Sequence, residues 1–352
     1  MTIDPQKLDA FVGRFLQDLG AVVHAATVLL GDKLGLYKAM ADGAPLTPEE
    51  LARRTSTDAR YVREWLSAQA ASGYVEYDAA ARTFRLPEEQ AFALTQELNP
   101  IFIPGGLQVA ASTIKDEAPV LEAFRTGRGV GWHEHCADLF AGTERFFRPG
   151  YIASLTTSWL PSLDGVQAKL ERGARVADVG CGHGSSTIVM AQAFPKSSFV
   201  GFDYHGPSIE AANRAAAAAG VASRARFEVS TAKAFPGNGY DLVTVFDCLL
   251  DMGDPVGAAR HVRETLAPDG TFMIVEPFAN DRLEDNLNPI GRIFYSASTM
   301  ICTPASRSQE VGLALGAQAG EARIAQVVRD AGFTRFRRAS ETPLNLILEA
   351  RA

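Results

Sequence analysis

Arg175-Val-Ala-Asp-Val-Gly-Cys-Gly-His-Gly-Ser-Ser-Thr187 is the stretch on whose reading the fold depends. It predicts a buried strand over 175–179, a turn carrying Gly180, Gly182 and Gly184, and a helix that starts near Ser185. Glycines suit such a turn because they reach positive φ and put no Cβ between backbone and ligand. The turn's N–H groups and the helix N-terminus then face whatever sits above the strand. The stretch reads as a cradle for a bound molecule.

Downstream, strands and helices alternate. Strands are expected at 199–203, 225–229, 240–247 and 271–276, with helices at 207–219, about Ala259 to Leu266, and 320–331. Two closing strands follow around 333–339 and 344–349. Near-continuous apolar strands separated by helices indicate an α/β fold with a doubly wound, Rossmann-like parallel sheet. Ligands of such sheets bind at the carboxyl ends of the strands, where strand order reverses. Asp178, Asp203 and Asp247 converge there, and a carboxylate ending the second strand can accept both hydroxyls of a ribose. The spacing Gly180-x-Gly182-x-Gly184, with Ser185 next, departs from the dinucleotide fingerprint. Asp178 also suits an ammonium group better than a pyrophosphate, which disfavours a nicotinamide oxidoreductase.

The first part of the chain is different in kind. Apolar residues recur at helical spacing over 8–40, giving one or two helices with a wide apolar face, buried either on its own domain or against a second copy. Thr47, Pro48 and Glu50 form a capping box for the next helix. A second cap at Ser56 or Thr57 opens a helix whose apolar face is Tyr61, Val62, Trp65 and Leu66. A short hairpin over 74–78 and 83–87 completes a winged-helix outline. Further helices fill 88–160, with a loop at 126–132 and a break at Pro149-Gly150. The expected division is a mainly α-helical, winged-helix-like dimerisation or substrate-capping domain at 1–162 and a Rossmann-like domain at 163–352.

A winged helix invites a DNA-binding reading. The formal net charge of −7 opposes it, as does the mixture of Arg60 and Arg63 with Asp58 and Glu64 on the second helix. Duplex affinity rests on a basic footprint that this chain lacks, so nucleic acid is disfavoured as a partner. No segment is apolar for the roughly 18 residues of a membrane span, and the first residues lack the layout of a secretory signal. Cys136, Cys181, Cys248 and Cys302 form no CxxC pair, as expected of thiols in a reducing cytoplasm. His133 and His135 are spaced i, i+2 with nothing nearby to complete a metal site, so no metal is expected.

Val176 to Gly184, taken with Gly201-Phe-Asp203, resembles the class I S-adenosylmethionine-dependent methyltransferases. The wider layout, including Phe146 to Tyr151 and Phe246 to Pro255, is similar to a bacterial, mycobacterial-type group with a winged-helix-like N-terminus. Some mycobacterial members carry a transcriptional-regulator label, so a winged-helix regulator using S-adenosylmethionine as ligand is the alternative reading. The resemblance implies a glycine turn beside the methionine part and Asp203 on the ribose. The cofactor-binding set it implies is Asp178, Gly180, Cys181, Gly182, Gly184, Asp203, Tyr204, Thr231, Ala232, Asp247 and Cys248. Thr231 and Lys233 stand where many members carry an acidic or amide residue near the adenine.

Similar small-molecule O-methyltransferases place a His-Asp pair after the fourth strand, the histidine acting as base. Here the pair is Leu250-Asp251, and leucine takes no proton. The acceptor is therefore an amine or thiol that loses its proton to solvent, or another residue is the base. Candidates are Asp251, His133 and Tyr151. Trp132, His135, Leu250, Met252, Phe294, Tyr295 and Met300 are expected around the acceptor. The expected function is methyl transfer to a small-molecule O, N or S acceptor by a cytoplasmic enzyme, with a homodimer through the first helices.

Overall fold

The computed structural model describes residues 3–352. The chain clusters into two compact units, one of residues 1–111 with 141–149, the other of 112–140 with 150–352. Residues 112–140 and 150–162, expected with the N-terminal domain, thus pack with the sheet.

The first unit opens with α1 (Pro5–Lys33), started by Asp4, whose Oδ1 accepts the Gln6 and Lys7 N–H groups, and continues with α2 (Leu36–Ala39). α3 (Pro48–Thr55) carries the expected capping box, Thr47 and Glu50 each accepting the other's backbone N–H. α4 (Ala59–Ala71) is capped by Asp58, not by Ser56 or Thr57. Ser56 is unavailable because it ends α3 in a left-handed conformation, φ 53°. Val62, Trp65 and Leu66 are buried as expected, but Tyr61 is 80% exposed. β1 (Glu76–Asp78) and β2 (Thr83–Arg85) form the hairpin, Tyr77 opposite Phe84, and α5 (Glu88–Thr95) follows. On α4 both guanidinium groups are spoken for, Arg60 by Glu64 at 2.6 Å and Arg63 by Glu49 at 2.7 Å.

The division between units falls within α6 (Pro104–Lys115) and α8 (Ala137–Gly150), which flank α7 (Glu117–Thr126). Pro149 does not end α8 as expected. The backbone stays helical and passes straight into a π-helical stretch, Tyr151–Trp159. Proline removes one N–H from the ladder, and a widened turn absorbs the lost bond without a break.

The second unit holds α9 (Val166–Arg172), β3 (Arg175–Val179), α10 (Ser185–Ala193), β4 (Ser198–Asp203), α11 (Gly206–Ala218), β5 (Ala225–Val229) and β6 (Tyr240–Phe246). α12 (Pro255–Thr265), β7 (Leu266–Pro277), α13 (Pro289–Ala297), a π turn at Ser298–Cys302, α14 (Thr303–Arg307), α15 (Glu321–Asp330), β8 (Arg335–Glu341) and β9 (Asn345–Arg351) complete it. The seven strands lie in the order β5-β4-β3-β6-β7-β9-β8. The first five are parallel, and β9 pairs antiparallel with both β7 and β8. Val179, Phe202, Val245, Ile274 and Leu348 belong to one apolar core, the burial on both faces that near-continuous apolar strands imply. The chain runs from β3 outward to β5, then returns to the other side of β3 as β6. The reversal therefore lies between β3 and β6, directly above the glycine turn.

Candidate active site

At the turn Gly180, Gly182 and Gly184 have φ of 75°, 51° and 81°. The N–H groups of Gly180 and Cys181 both donate to the Phe202 carbonyl, at 2.7 and 3.1 Å, tying the turn to β4. A Cβ on Gly180 would stand 2.6 Å from Cys248 Sγ, and one on Gly184 the same distance from the Phe227 ring. At Gly182 a Cβ would meet nothing within 4 Å. Two glycines are thus required by close packing, while the middle one borders open space.

Asp178 is buried beneath the turn. Its Oδ2 accepts the Ser186 and Thr187 hydroxyls, both at 2.6 Å, and its Oδ1 accepts Thr244 at 3.0 Å. Burial raises its carboxyl above the ordinary range while the three hydroxyls pull the other way. It braces turn, α10 and β6 together. Both of its oxygens are engaged by hydroxyls.

Asp203 ends β4. Its Oδ2 accepts the Gly182 N–H at 3.0 Å and its Oδ1 the His205 N–H at 2.8 Å. Tyr204 is partly exposed; burial and then Asp203 push its hydroxyl up to about 12, and that hydroxyl bonds the His133 backbone. The Ser230 N–H donates to the Asp203 carbonyl at 3.0 Å, which brings exposed Thr231 and half-buried Ala232 alongside. Lys233 is occupied by Glu310 at 2.9 Å and Asp254 at 3.3 Å. Asp247 follows β6 with φ 50°. Its Oδ1 accepts Asn345 Nδ2 at 3.0 Å, while Oδ2 is sealed from water without a partner. Burial, then the nearby Asp251 charge, hold its carboxyl well above the usual range. Cys181 is buried and Cys248 half-buried, with Cys248 Sγ 3.3 Å from the Val179 carbonyl.

Of the base candidates, Asp251 lies in a short 3-10 turn behind buried Leu250. It caps no helix, since Asp254 caps α12. Burial raises its carboxyl to about 7, a Cys302 side-chain bond opposes that, and its Oδ1 is sealed without a partner. Tyr151 is buried 5.2 Å from the Phe246 ring. Burial, then Asp247 and Asp178, keep its hydroxyl neutral. His133 is exposed, its ring edge-on to Tyr204 at 6.1 Å. His135 is buried, with Nδ1 2.9 Å from Asp116 Oδ2 and Nε2 unpartnered. Trp132 stands near it, ring centroids 6.4 Å apart. Met252 packs on the central core, with its carbonyl accepting the Ser306 hydroxyl. Phe294 is buried on α13, and Tyr295 and Met300 are half-buried there and on the π turn that holds Cys302.

Sequence reading missed Asp116, Glu276, Cys302 and Asn345. Glu276 is buried near the end of β7, accepting the Leu249 N–H at 2.9 Å; an acidic residue at a strand end was the available signal. Asp116 lies 19 residues before His135 and carried no local signal. Among the described residues no group of three or more His, Cys, Asp and Glu is placed to hold a metal ion.

Residues 22–96 match the Rv2258c-like winged HTH domain, and residues 170–330 match the family model described as Methyltransferase domain. The chain couples a winged helix-turn-helix domain to a methyltransferase domain. Within the methyltransferase domain lie the glycine turn, Asp203 and Asp247. Phosphoethanolamine N-methyltransferase 3 of Arabidopsis thaliana is 30% identical over 139 residues, 38% of this chain and 27% of that protein. The chain spans about a quarter or less of the length of the curated relatives it matches. The structure of the mitomycin 7-O-methyltransferase MmcR superposes with a TM-score of 0.73 at 18% identity, covering 99% of this chain and 100% of the other. Human N-acetylserotonin methyltransferase, solved in complex with SAM, does so with 0.69 at 17% identity, covering 97% of each chain. At such identities the likeness establishes the fold alone.

Proposed function

We propose that the chain is an S-adenosylmethionine-dependent methyltransferase that transfers a methyl group in line to a small-molecule acceptor. The observation that carries this reading is the charge around the glycine turn. Asp178, Asp203 and Asp247 lie around it, and the largest charged influences on them come from neighbouring carboxylates, His183 and His205. A cationic donor lowers the cost of ionising these buried carboxyls, whereas a pyrophosphate raises it. The open space at Gly182 and the orphaned Asp247 Oδ2 fit a ligand carrying both a sulfonium and an ammonium. When bound, S-adenosylmethionine supplies an activated methyl group on positively charged sulfur.

On this reading the following residues would hold it. Asp203, its carboxylate aimed by two N–H groups, takes the ribose, and Tyr204, Thr231 and Ala232 flank the adenine. Asp178 keeps the turn in register with β6, Cys181 lies within the turn, and Cys248 packs against Gly180. Leu250, Trp132 and Tyr151 exclude water from the acceptor side. Much of the rate in such a transfer comes from positioning.

The regulator reading is not favoured, because Arg60 and Arg63 are already paired with Glu64 and Glu49. Among the described residues no helix is long and apolar enough to cross a membrane. The four free cysteines suit our placement of the protein in the cytoplasm. The homodimer through α1 belongs to the same proposal.

Titration calorimetry with S-adenosylhomocysteine and with NAD tests the reading. Saturable binding of S-adenosylhomocysteine and no heat from NAD is the expected result; saturable NAD binding without the other overturns it.

A further inference from the structure

The place after β6 where a histidine base would stand holds Leu250, buried and aliphatic. Resting on the proposed methyl transfer, we infer that His135, held by Asp116, is the group that takes the acceptor's proton, and that the acceptor presents an ionisable hydroxyl.

Three observations converge on this pair. First, the pair is built like a base and its orienter. His135 Nδ1 donates to Asp116 Oδ2 at 2.9 Å, and the His135 side chain is 1% exposed. The Cys136 N–H donates to the same oxygen at 3.4 Å. A proton fixed on Nδ1 leaves the Nε2 lone pair free. Second, Nε2 is buried without a partner. An unmet buried ring nitrogen costs stability, and a bound ligand atom removes that cost. His24, His205 and His261 instead spend a ring nitrogen on Gln69, Ser208 and the Phe235 carbonyl, and His133 is exposed.

Third, the segment that leads into His135 is anchored on neighbours of Asp251 and of Asp203. At one end the Val130 N–H donates to the Pro304 carbonyl, and Gly129 packs so closely on Arg307 and Ser308 that a Cβ has no room. α14 begins next to Cys302, the partner of Asp251. At the other end the His133 backbone meets the Tyr204 hydroxyl, and Trp132 touches Phe140, which stacks on His205 at 4.6 Å. His135 follows two residues after His133, whose backbone meets the hydroxyl of Tyr204, the neighbour of Asp203. The charged and titratable groups facing it are Asp116, Cys136 and the Lys115–Asp138 pair, with His205 across Phe140.

In the step itself, an acceptor oxygen lone pair forms the O–CH3 bond as the C–S bond breaks. The bonding pair goes to sulfur, and the hydroxyl proton passes to Nε2, leaving an imidazolium beside the Asp116 carboxylate. An amine losing its proton to solvent would need no such pair. Asp116 is a positioning residue here, and His135 a catalytic one.

The test uses the full chain, labelled with 15N at histidine and saturated with S-adenosylhomocysteine, the binding of which by calorimetry checks the underlying reading separately. Catechol, 4-nitrophenol and quercetin are titrated in. The His135 ring signal, assigned by its loss in His135→Gln, is expected to shift with at least one phenol, and Asp116→Asn to diminish the shift. With methyl-labelled S-adenosylmethionine and a phenol that turns over, His135→Gln should lower kcat on the order of 10²–10⁴-fold, with KM changed far less. A His135 signal unmoved by all three phenols, in protein that binds S-adenosylhomocysteine, overturns the inference. So does full turnover of a phenol by His135→Gln.

Discussion

Asp251 shows how burial sets chemistry at the level of one residue. Its carboxyl, ordinarily near about 3.9, is raised to about 7, first by desolvation. The folded chain therefore holds this proton more tightly than the unfolded one. The stability so gained is full below the unfolded value and is lost as pH rises through about 7. Asp251→Asn, which keeps the shape and removes the charge, is expected to flatten that decline. Denaturant unfolding between about pH 5 and about pH 8 should show the wild type losing on the order of a few kcal/mol more than the variant. Parallel pH dependences would mean that Asp251 ionises normally. The three strand-end aspartates were legible in the sequence because each closes a near-continuous apolar run. Asp116 and Cys302 were not, because each meets its partner only through packing.

Elements with local punctuation read well. The capping box at Thr47 and Glu50 appears as expected, its bonds spanning only three residues, and both hydrogen bonds are made. Thr47→Ala should cost about 1 kcal/mol, measured as a lowered thermal midpoint. An unchanged midpoint would place the stability of α3 in its packing of Leu51 and Ala52 rather than in its cap. Errors arose where two local signals competed. Ser56, Thr57 and Asp58 are all good caps, and the left-handed end of α3 decided among them. Proline and glycine at 149–150 read as a break, yet the helix continues because flanking turns accept a wider register.

For the whole molecule the exposed face of α1 matters most. Phe11, Phe15, Leu16, Val22 and Val23 are all more than half exposed on it, and a contiguous apolar face of this kind marks an interaction surface. A second copy is the proposed cover. Sedimentation velocity should show a dimer, and Phe11→Glu with Phe15→Glu should convert it to a folded monomer. A monomeric wild type removes the dimer from the proposal. The sequence alone determined the alternation of strands and helices, the glycine turn and the winged-helix outline, since each rests on periodicity or on neighbours a few residues apart. Only the tertiary structure decided which side chains share the site. It engaged both oxygens of Asp178, sealed Asp247 and Asp251 together, and joined His135 to Asp116. Burial and hydrogen-bond satisfaction depend on which distant segments pack together, and local spacing carries no record of that.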